Sequence, residues 1–576
     1  MAWKHTIAAV LMLALAPAAG ADSPAVAPEA ATGLTPKPLV TAERHMIAAA
    51  HPLAAEAGLA ALRDGGSATD AMVAAQMVLG LVEPQSSGLG GGAFLVRHDG
   101  AFGTVVALDG RETAPMGVTE DWFLDADGRP LTFFDAVVGG RSVATPGTVR
   151  LMADAHARWG VLAWDRVLQP AIDLAERGFA VSPRLAQLID KDRERLSRHA
   201  ATRAYFFRED GEPLQAGDTL KNPAYADTLR QLARFGPDAF YNGPVARDMV
   251  AAVRGADNPG MLGVGDLAPY RVVRRHPVCA PYRAYTVCGM GPPSSGMLTV
   301  GQILGMLQHF DLGDGPSPDS VHLIAEASRL AFADRGLYIA DPDFHPVPTE
   351  GLLDAGYLKA RAALIDPARA APDVQSGTPP GAEAQGPDDA LELPSTSHLS
   401  IVDRDGNAVA LTTTIENGFG SRVMVRGFLL NNELTDFAFS PEADGKPVAN
   451  RVEPGKRPRS SMAPTQVYGP DGKLAIVLGS PGGANIIGYV AKTLIAMLDW
   501  NLDAQAAASL PHFIARTDTV NLEPAPGAET LAQALEAKGH TVKTRDLNSG
   551  LHILDLRTDK IHGAADPRRE GVAVGD

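Results

Sequence analysis

Thr396 stands at a junction between two kinds of sequence. Upstream, residues 366–394 (DPARAAPDVQSGTPPGAEAQGPDDALELP) are rich in Pro, Gly, Ala and acids, and downstream TSHLSIV opens a strand pattern. A threonine hydroxyl is a weak nucleophile at neutral pH and becomes useful once a base takes its proton. A free α-amine, with a reference pKa of about 7.7 to 8.0, is such a base on the same residue. Only cleavage of the Ser395–Thr396 bond can supply that amine. The junction leaves two readings open: a chain cut before Thr396, whose freed amine serves the hydroxyl, or a Thr396 that merely begins a strand, as most threonines in such a place do.

Three further groups could serve such a nucleophile. In the hairpin HLSIVDRDGNAVALTTTI, a two-residue turn at Asp405-Gly406 places Ile415 opposite Thr396. A three-residue Arg404-Asp405-Gly406 loop with left-handed Gly places Thr414 there instead, where its hydroxyl can support the nucleophile. In GSPGGANIIG, small residues between a strand and a helix leave backbone N–H groups free to hold an oxyanion, or simply make a tight turn. Finally, DGRETAP, NNELTDF and KRPRSSMAP offer Arg111, Glu433 with Asp436, and Ser460 with Ser461. Singly each reads as a turn or a solvated face. Together, a guanidinium and two hydroxyls suit a carboxylate, and two acids suit an ammonium; a ligand with both charges on one carbon is an α-amino acid.

These residues must be carried by elements whose patterns are legible. AAEAGLAALRDGGSATDAMVAAQMVLGLV predicts two Ala-rich helices split at Gly65-Gly66, SVHLIAEASRLAFADRGLYI predicts another helix, and GKLAIVLGS followed by PGGANIIGYVAKTLIAML predicts strand, turn and helix. The class is mixed α and β, without internal repeats or heptads. Residues 366–394 are expected to be exposed and poorly structured.

The start, MAWKHTIAAVLMLALAPAAGADS, has a cationic end, a short apolar run and small residues at Ala19-Gly20-Ala21, which predicts a secretory signal peptide (1–21) cut after Ala21, followed by a flexible Ala/Pro-rich leader (22–40). The expected location is secreted or periplasmic. No later stretch reaches the roughly 18 apolar residues of a membrane span. A formal net charge of −16 argues against nucleic acid or an anionic membrane as partner. Cys279 and Cys288 are the only cysteines; in an oxidising compartment they can bridge across a hairpin, or they are two half-buried thiols. No His or further Cys stands beside them at metal-ligand spacing, and nothing implies a cofactor.

In order along the chain, GGSATDAMVA, EPQSSGLGGGAF, DGRETAP, ATPGTV, GPPSSGM, TSHLS, NNELTDF, RPRSSMAPT and GSPGG resemble the γ-glutamyltransferase (glutathione hydrolase) family over essentially the whole chain after the predicted signal peptide. The resemblance implies an α+β fold, the four-layer αββα sandwich of N-terminal nucleophile hydrolases. It implies a precursor split into a large subunit (41–395) and a small catalytic subunit (396–576) that remain together as a heterodimer. Thr396 would attack the Ser395 carbonyl in an N-to-O acyl shift, and once freed would form an ester with the γ-glutamyl group of glutathione-like substrates, passing it to water or to an amino acid. Gly482 and Gly483 would supply oxyanion amides and Thr414 would bond the nucleophile. Arg111, Ser460 and Ser461 would hold the substrate α-carboxylate, with Glu433 and Asp436 on its ammonium.

Two departures qualify the resemblance. Glu416 stands where the family commonly has Asn, and a carboxylate there would either repel the substrate carboxylate or strengthen the grip on its ammonium. Between Asp436 and Ser460 no Tyr or Trp is present to act as an aromatic lid, which predicts an open site. Alternatives are a glutaryl-type (cephalosporin) acylase of the same fold, whose substrate lacks the ammonium, and an exported non-catalytic binding protein that keeps the scaffold. A Ser460 or Ser461 hydrolase is disfavoured because neither lies in a G-x-S-x-G elbow.

Overall fold

The computed structural model describes residues 33–388, 390–393 and 395–576. Two seven-stranded antiparallel sheets lie face to face. The first has the order 572–575, 46–49, 396–402, 408–414, 92–98, 105–110, 273–275; the second runs 40–42, 561–565, 552–555, 474–479, 465–468, 285–289, 278–282. Period-two alternation decides what each face meets. Along Thr396–Val402, Leu399 and Ile401 point into a core shared with helices α1 (Pro52–Arg63) and α2 (Ala68–Val82), while Val402 packs with Met46, Ala48, Ala410, Val477 and Leu554 between the sheets. A second helical layer, including Gly296–Leu307, Pro318–Tyr338 and Ile486–Leu498, covers the other sheet. The result is the four-layer αββα sandwich that the resemblance implies.

Local signals act where expected. Ser67 caps α2 through a capping box with Asp70, ending the Gly65-Gly66 break. The hairpin takes the three-residue loop: Asp403 N donates to Asn407 O at 3.0 Å, Gly406 sits at φ +77°, and Thr396 pairs with Thr414. Cys279 and Cys288 face each other on the hairpin 278–289 and form a disulfide. No helix among the described residues is long and apolar enough to cross a membrane.

Two expectations are corrected. The described residues of 366–394 contain no helix or strand, yet they form a strap fastened to the body, with Gly377 N on Asp334, Ala371 N on Glu326, Gly386 N on Pro447 O, and Glu392 buried. Its Pro and Gly content rules out regular structure but does not prevent bonds to side chains that sequence cannot pair with it. The leader, expected to be flexible to residue 40, is tied from Thr35 onward to the C-terminal segment, Thr35 N donating to Pro567 O at 2.9 Å and Lys37 Nζ to Arg569 O at 2.7 Å. The predicted signal peptide and the leader up to residue 32 lie outside the described residues.

Candidate active site

Thr396 begins a strand in the centre of the first sheet and pairs with Thr414 on one side, while pairing with 46–49 on the other side starts only at Leu399. Its side chain belongs to the face between the sheets and is only 4% exposed. The Thr396 hydroxyl lies 3.4 Å from Thr414 Oγ1, and Thr414 Oγ1 donates to the Ser395 carbonyl oxygen at 2.9 Å. One hydroxyl thus touches both the candidate nucleophile and the carbonyl it would attack. Thr414 is itself oriented by the amide of Glu416 at 2.8 Å, which Glu416 presents by adopting φ +73°, a conformation non-glycine residues rarely hold. The side chain of Ser395 donates to Gln85 O at 2.6 Å and Ile415 N to Ser86 O at 3.2 Å, giving the EPQSSG segment a physical task.

The glycine loop follows the strand Leu474–Gly479 and leads into the helix Ile486–Leu498. Gly482 (φ +143°) and Gly483 (φ +57°) both hold positive φ, and a Cβ on Gly482 would come within 2.6 Å of the Tyr489 ring. Glycine is therefore required by backbone shape as well as by access. Gly483 lines the same cavity as Thr396, Thr414, Glu416, Ser460 and Ser461, whereas Gly482 is set back from it.

Arg111, Glu433 and Asp436 do meet. The Arg111 guanidinium pairs with Glu433 and, at 2.5 Å, with Asp436, while Nε and Nη2 also bond the carbonyls of Pro458 and Arg459. Ser460 is held by a bridge to Ser294 in GPPSSGM, and its Oγ accepts from Met462 N. Ser461 instead donates to Glu392, a residue that sequence reasoning placed in an exposed stretch. Glu392 also pairs with Arg335 and with Arg459 at 3.1 Å. Its signal was one acid in an acid-rich stretch shortly before Thr396; its partners, distant in the chain, gave none.

Acids outnumber bases here. Glu416, Glu433, Asp436 and Glu112 surround the buried Arg111 guanidinium, which compensates about one charge, and the buried Arg459 also acts on Asp436. Burial lifts Glu433 and Asp436 well above the carboxylate range although Arg111 pulls them down, and burial with the Asp436 and Glu433 charges lifts Glu416. Glu112 is pushed up to about 7, first by burial. It sits against Glu433, and the proton of that contact belongs to Glu433, which the contact raises while it lowers Glu112, so burial, helped by the Asp436 charge, drives Glu112 upward against Arg111 and Glu433. Neutral Glu112 stabilises the fold fully below the ordinary glutamate range, and this is lost as pH rises through about 7. Between about pH 5 and about pH 8 the melting temperature of uncut Thr396→Ala protein should fall more steeply than that of the same protein carrying Glu112→Gln; parallel curves would contradict a protonated Glu112.

The open site expected from the missing aromatic lid is not found in the uncut chain. Glu392 and Leu393 line the cavity with Thr396 and leave about 20 Å³, room for about one water. The strap provides the cover, and 437–459 carries the hairpin 442–447, whose end Gly386 of the strap joins.

The Gamma-glutamyltranspeptidase family model matches residues 54–576. The chain is 38% identical over 546 residues to a glutathione hydrolase proenzyme of Escherichia coli K12 and 37% identical over 546 residues to that of Bacillus subtilis 168, in each case covering 92% of this chain and 91% of the relative. Among solved structures it resembles a cephalosporin acylase from Bacillus halodurans, with a TM-score of 0.83 at 26% identity, covering 96% of this chain and 99% of that one.

Proposed function

Because the chain belongs to the γ-glutamyltranspeptidase family, we propose that it cuts itself between Ser395 and Thr396 and then uses Thr396 to transfer γ-glutamyl groups. The protein is an enzyme of the glutathione hydrolase type, a γ-glutamyltransferase made as a precursor. The observation that carries the residue assignment is the Thr396–Thr414–Ser395 contact.

Self-cleavage starts with attack of the Thr396 hydroxyl oxygen on the Ser395 carbonyl carbon, while Thr414 donates to the carbonyl oxygen. The hydroxyl proton is passed to the departing Thr396 nitrogen as the C–N bond breaks, leaving a Ser395 ester on Thr396. Water hydrolyses this ester, giving the Ser395 carboxylate and a free Thr396 hydroxyl and α-amine. That amine is the base for the second reaction. The hydroxyl attacks the γ-carbonyl of the donor, the donor's amine leaves with the proton, and a γ-glutamyl ester forms. Water releases glutamate from it; an amino acid or peptide takes the acyl group instead and forms a new amide. Gly482 and Gly483 are assigned to the developing oxyanion, where one lost donor typically costs about a hundred- to a thousandfold in rate.

For the α-carbon of the donor, Arg111, Ser460 and Ser461 are assigned to the carboxylate, and Glu433 and Asp436 to the ammonium, with the Glu416 carboxyl, which burial lifts, beside them. The surplus of acids favours a donor that brings a positive charge. A glutaryl donor lacks one, so for γ-glutamyl anilide kcat/KM should exceed that for glutaryl anilide by about tenfold or more. Equal or faster cleavage of the glutaryl compound would select the acylase reading, which the likeness to the cephalosporin acylase keeps in view.

After the cut, 41–395 and 396–576 are expected to stay together, since each sheet interleaves strands from both. Export through the predicted signal peptide accords with the disulfide.

A further inference from the structure

Two buried guanidiniums that meet at Glu392, those of Arg335 and Arg459, depend on the strap for their carboxylate partners. Arg335 Nη2 bonds Ser461 Oγ at 2.7 Å and Glu392; Arg459 bonds Glu392 through Nε and Asp388 through Nη1 at 2.8 Å. All three cluster members, Arg335, Arg459 and Glu392, are buried. Both carboxylates paired with the two arginines therefore lie on the strap just before the cut. The backbone of Glu392 also reaches the glycine loop, its carbonyl accepting from Ala484 N at 3.5 Å, and its side chain lines the Thr396 cavity. Burial opposes the Glu392 charge, but Arg335 and Arg459 overcome it and hold the carboxyl down at about 2. Withdrawal of the strap would leave two buried cations and the Ser461 hydroxyl facing that cavity, a state that a carboxylate relieves.

We propose that Glu392 is a built-in occupant of the substrate-carboxylate receptor formed by Arg335, Arg459 and Ser461. In the uncut chain it is a positioning residue, anchoring the strap so that the Ser395 carbonyl lies beside Thr396. After cleavage it yields the receptor to the carboxylate of the donor, so Arg335 and Arg459 extend the carboxylate-binding set. This second half rests on the γ-glutamyl reading given above.

The test is Glu392→Gln, with Glu392→Asp as the conservative control, made by cell-free synthesis and chased on denaturing gels. Self-cleavage of the Gln variant should slow by about tenfold or more, the size expected when a charged hydrogen-bonded anchor is lost, and Asp should restore part of the rate. Once cut, the Gln variant should show KM for γ-glutamyl anilide equal to or below that of the wild type, with kcat within about twofold. Cleavage at the wild-type rate, or a raised KM in the cut enzyme, overturns the proposal, the latter because Glu392 would then remain as a fixed part of the site. Should the variant not fold, wild-type cut enzyme is challenged with an acetylated peptide of residues 391–395 and with the same peptide carrying Glu392→Gln. The unsubstituted peptide should compete with the anilide about tenfold better; equal inhibition or none overturns the proposal. The gel arm uses no substrate, so a wild type inert towards γ-glutamyl anilide would count against the functional reading and leave the anchoring result standing.

Discussion

Thr396→Ala is expected to run as one uncut chain and to lose all measurable γ-glutamyl transfer. The variant deletes the hydroxyl that lies 3.4 Å from Thr414 while leaving the strand, its pairing with 408–414 and 46–49, and the Thr414 bond to Ser395 O in place. Loss of a nucleophile from an enzyme of this kind costs on the order of a millionfold in kcat. Here the loss is compounded, because the uncut strap keeps the cavity filled. The fold should persist, since Thr→Ala at this position removes two side-chain atoms from a strand fixed on both sides. Denaturing gels and circular dichroism measure the two halves of the expectation. A Thr396→Ala protein that still splits before residue 396 would move the chemistry to another residue.

Arg111→Gln is expected to damage folding and catalysis together. Arg111 is 1% exposed and is the direct partner of Glu433 and Asp436. Removing one member of a buried ionic set leaves the others uncompensated, typically at a cost of about 3–5 kcal/mol. The remaining acids respond by holding protons more tightly. Their folded pKa values are already raised, so their contribution is complete below the ordinary carboxylate range and is lost as pH rises. The variant should therefore be rescued in part by lowering the pH, with its melting temperature closest to wild type in mild acid. At neutral pH kcat/KM for γ-glutamyl anilide should fall by about a hundredfold or more, mainly through KM, because the cation that attracts the donor carboxylate and holds Glu433 and Asp436 in place is gone. An unchanged melting temperature with kcat/KM within about threefold would remove Arg111 from the site.

What the sequence could reveal followed the range of the interaction. Short-range rules worked: the Gly65-Gly66 break between α1 and α2, the strand–glycine–helix order around Gly482, and the strand opening at Thr396 all appear as read. The hairpin register was limited to two choices by turn chemistry, and long-range pairing in the sheet, with Gly406 at positive φ, selected Thr414. Arg111, Glu433, Asp436 and the serine pair were found as a complementary set, and they do converge. Composition misled at the strap. A stretch rich in Pro, Gly and acids has little to bury by itself, and only Arg335 and Arg459, contributed by distant segments, turn Glu392 from a solvated acid into a buried one. Glu112 escaped notice for a related reason: an acid beside an arginine reads as a pair, whereas in the fold Arg111 turns to Glu433 and Asp436 and leaves Glu112 to be neutralised by a proton.

The central claim, that the residue which cuts the chain also carries the γ-glutamyl group, is tested most directly by acid-quenching the wild-type enzyme during turnover of γ-glutamyl anilide and examining the small subunit by mass spectrometry. The account predicts an N-terminal peptide beginning Thr-Ser-His-Leu-Ser, present with and without one added γ-glutamyl group located on Thr396. A small subunit with a different first residue, or a γ-glutamyl group on any other side chain, would contradict it.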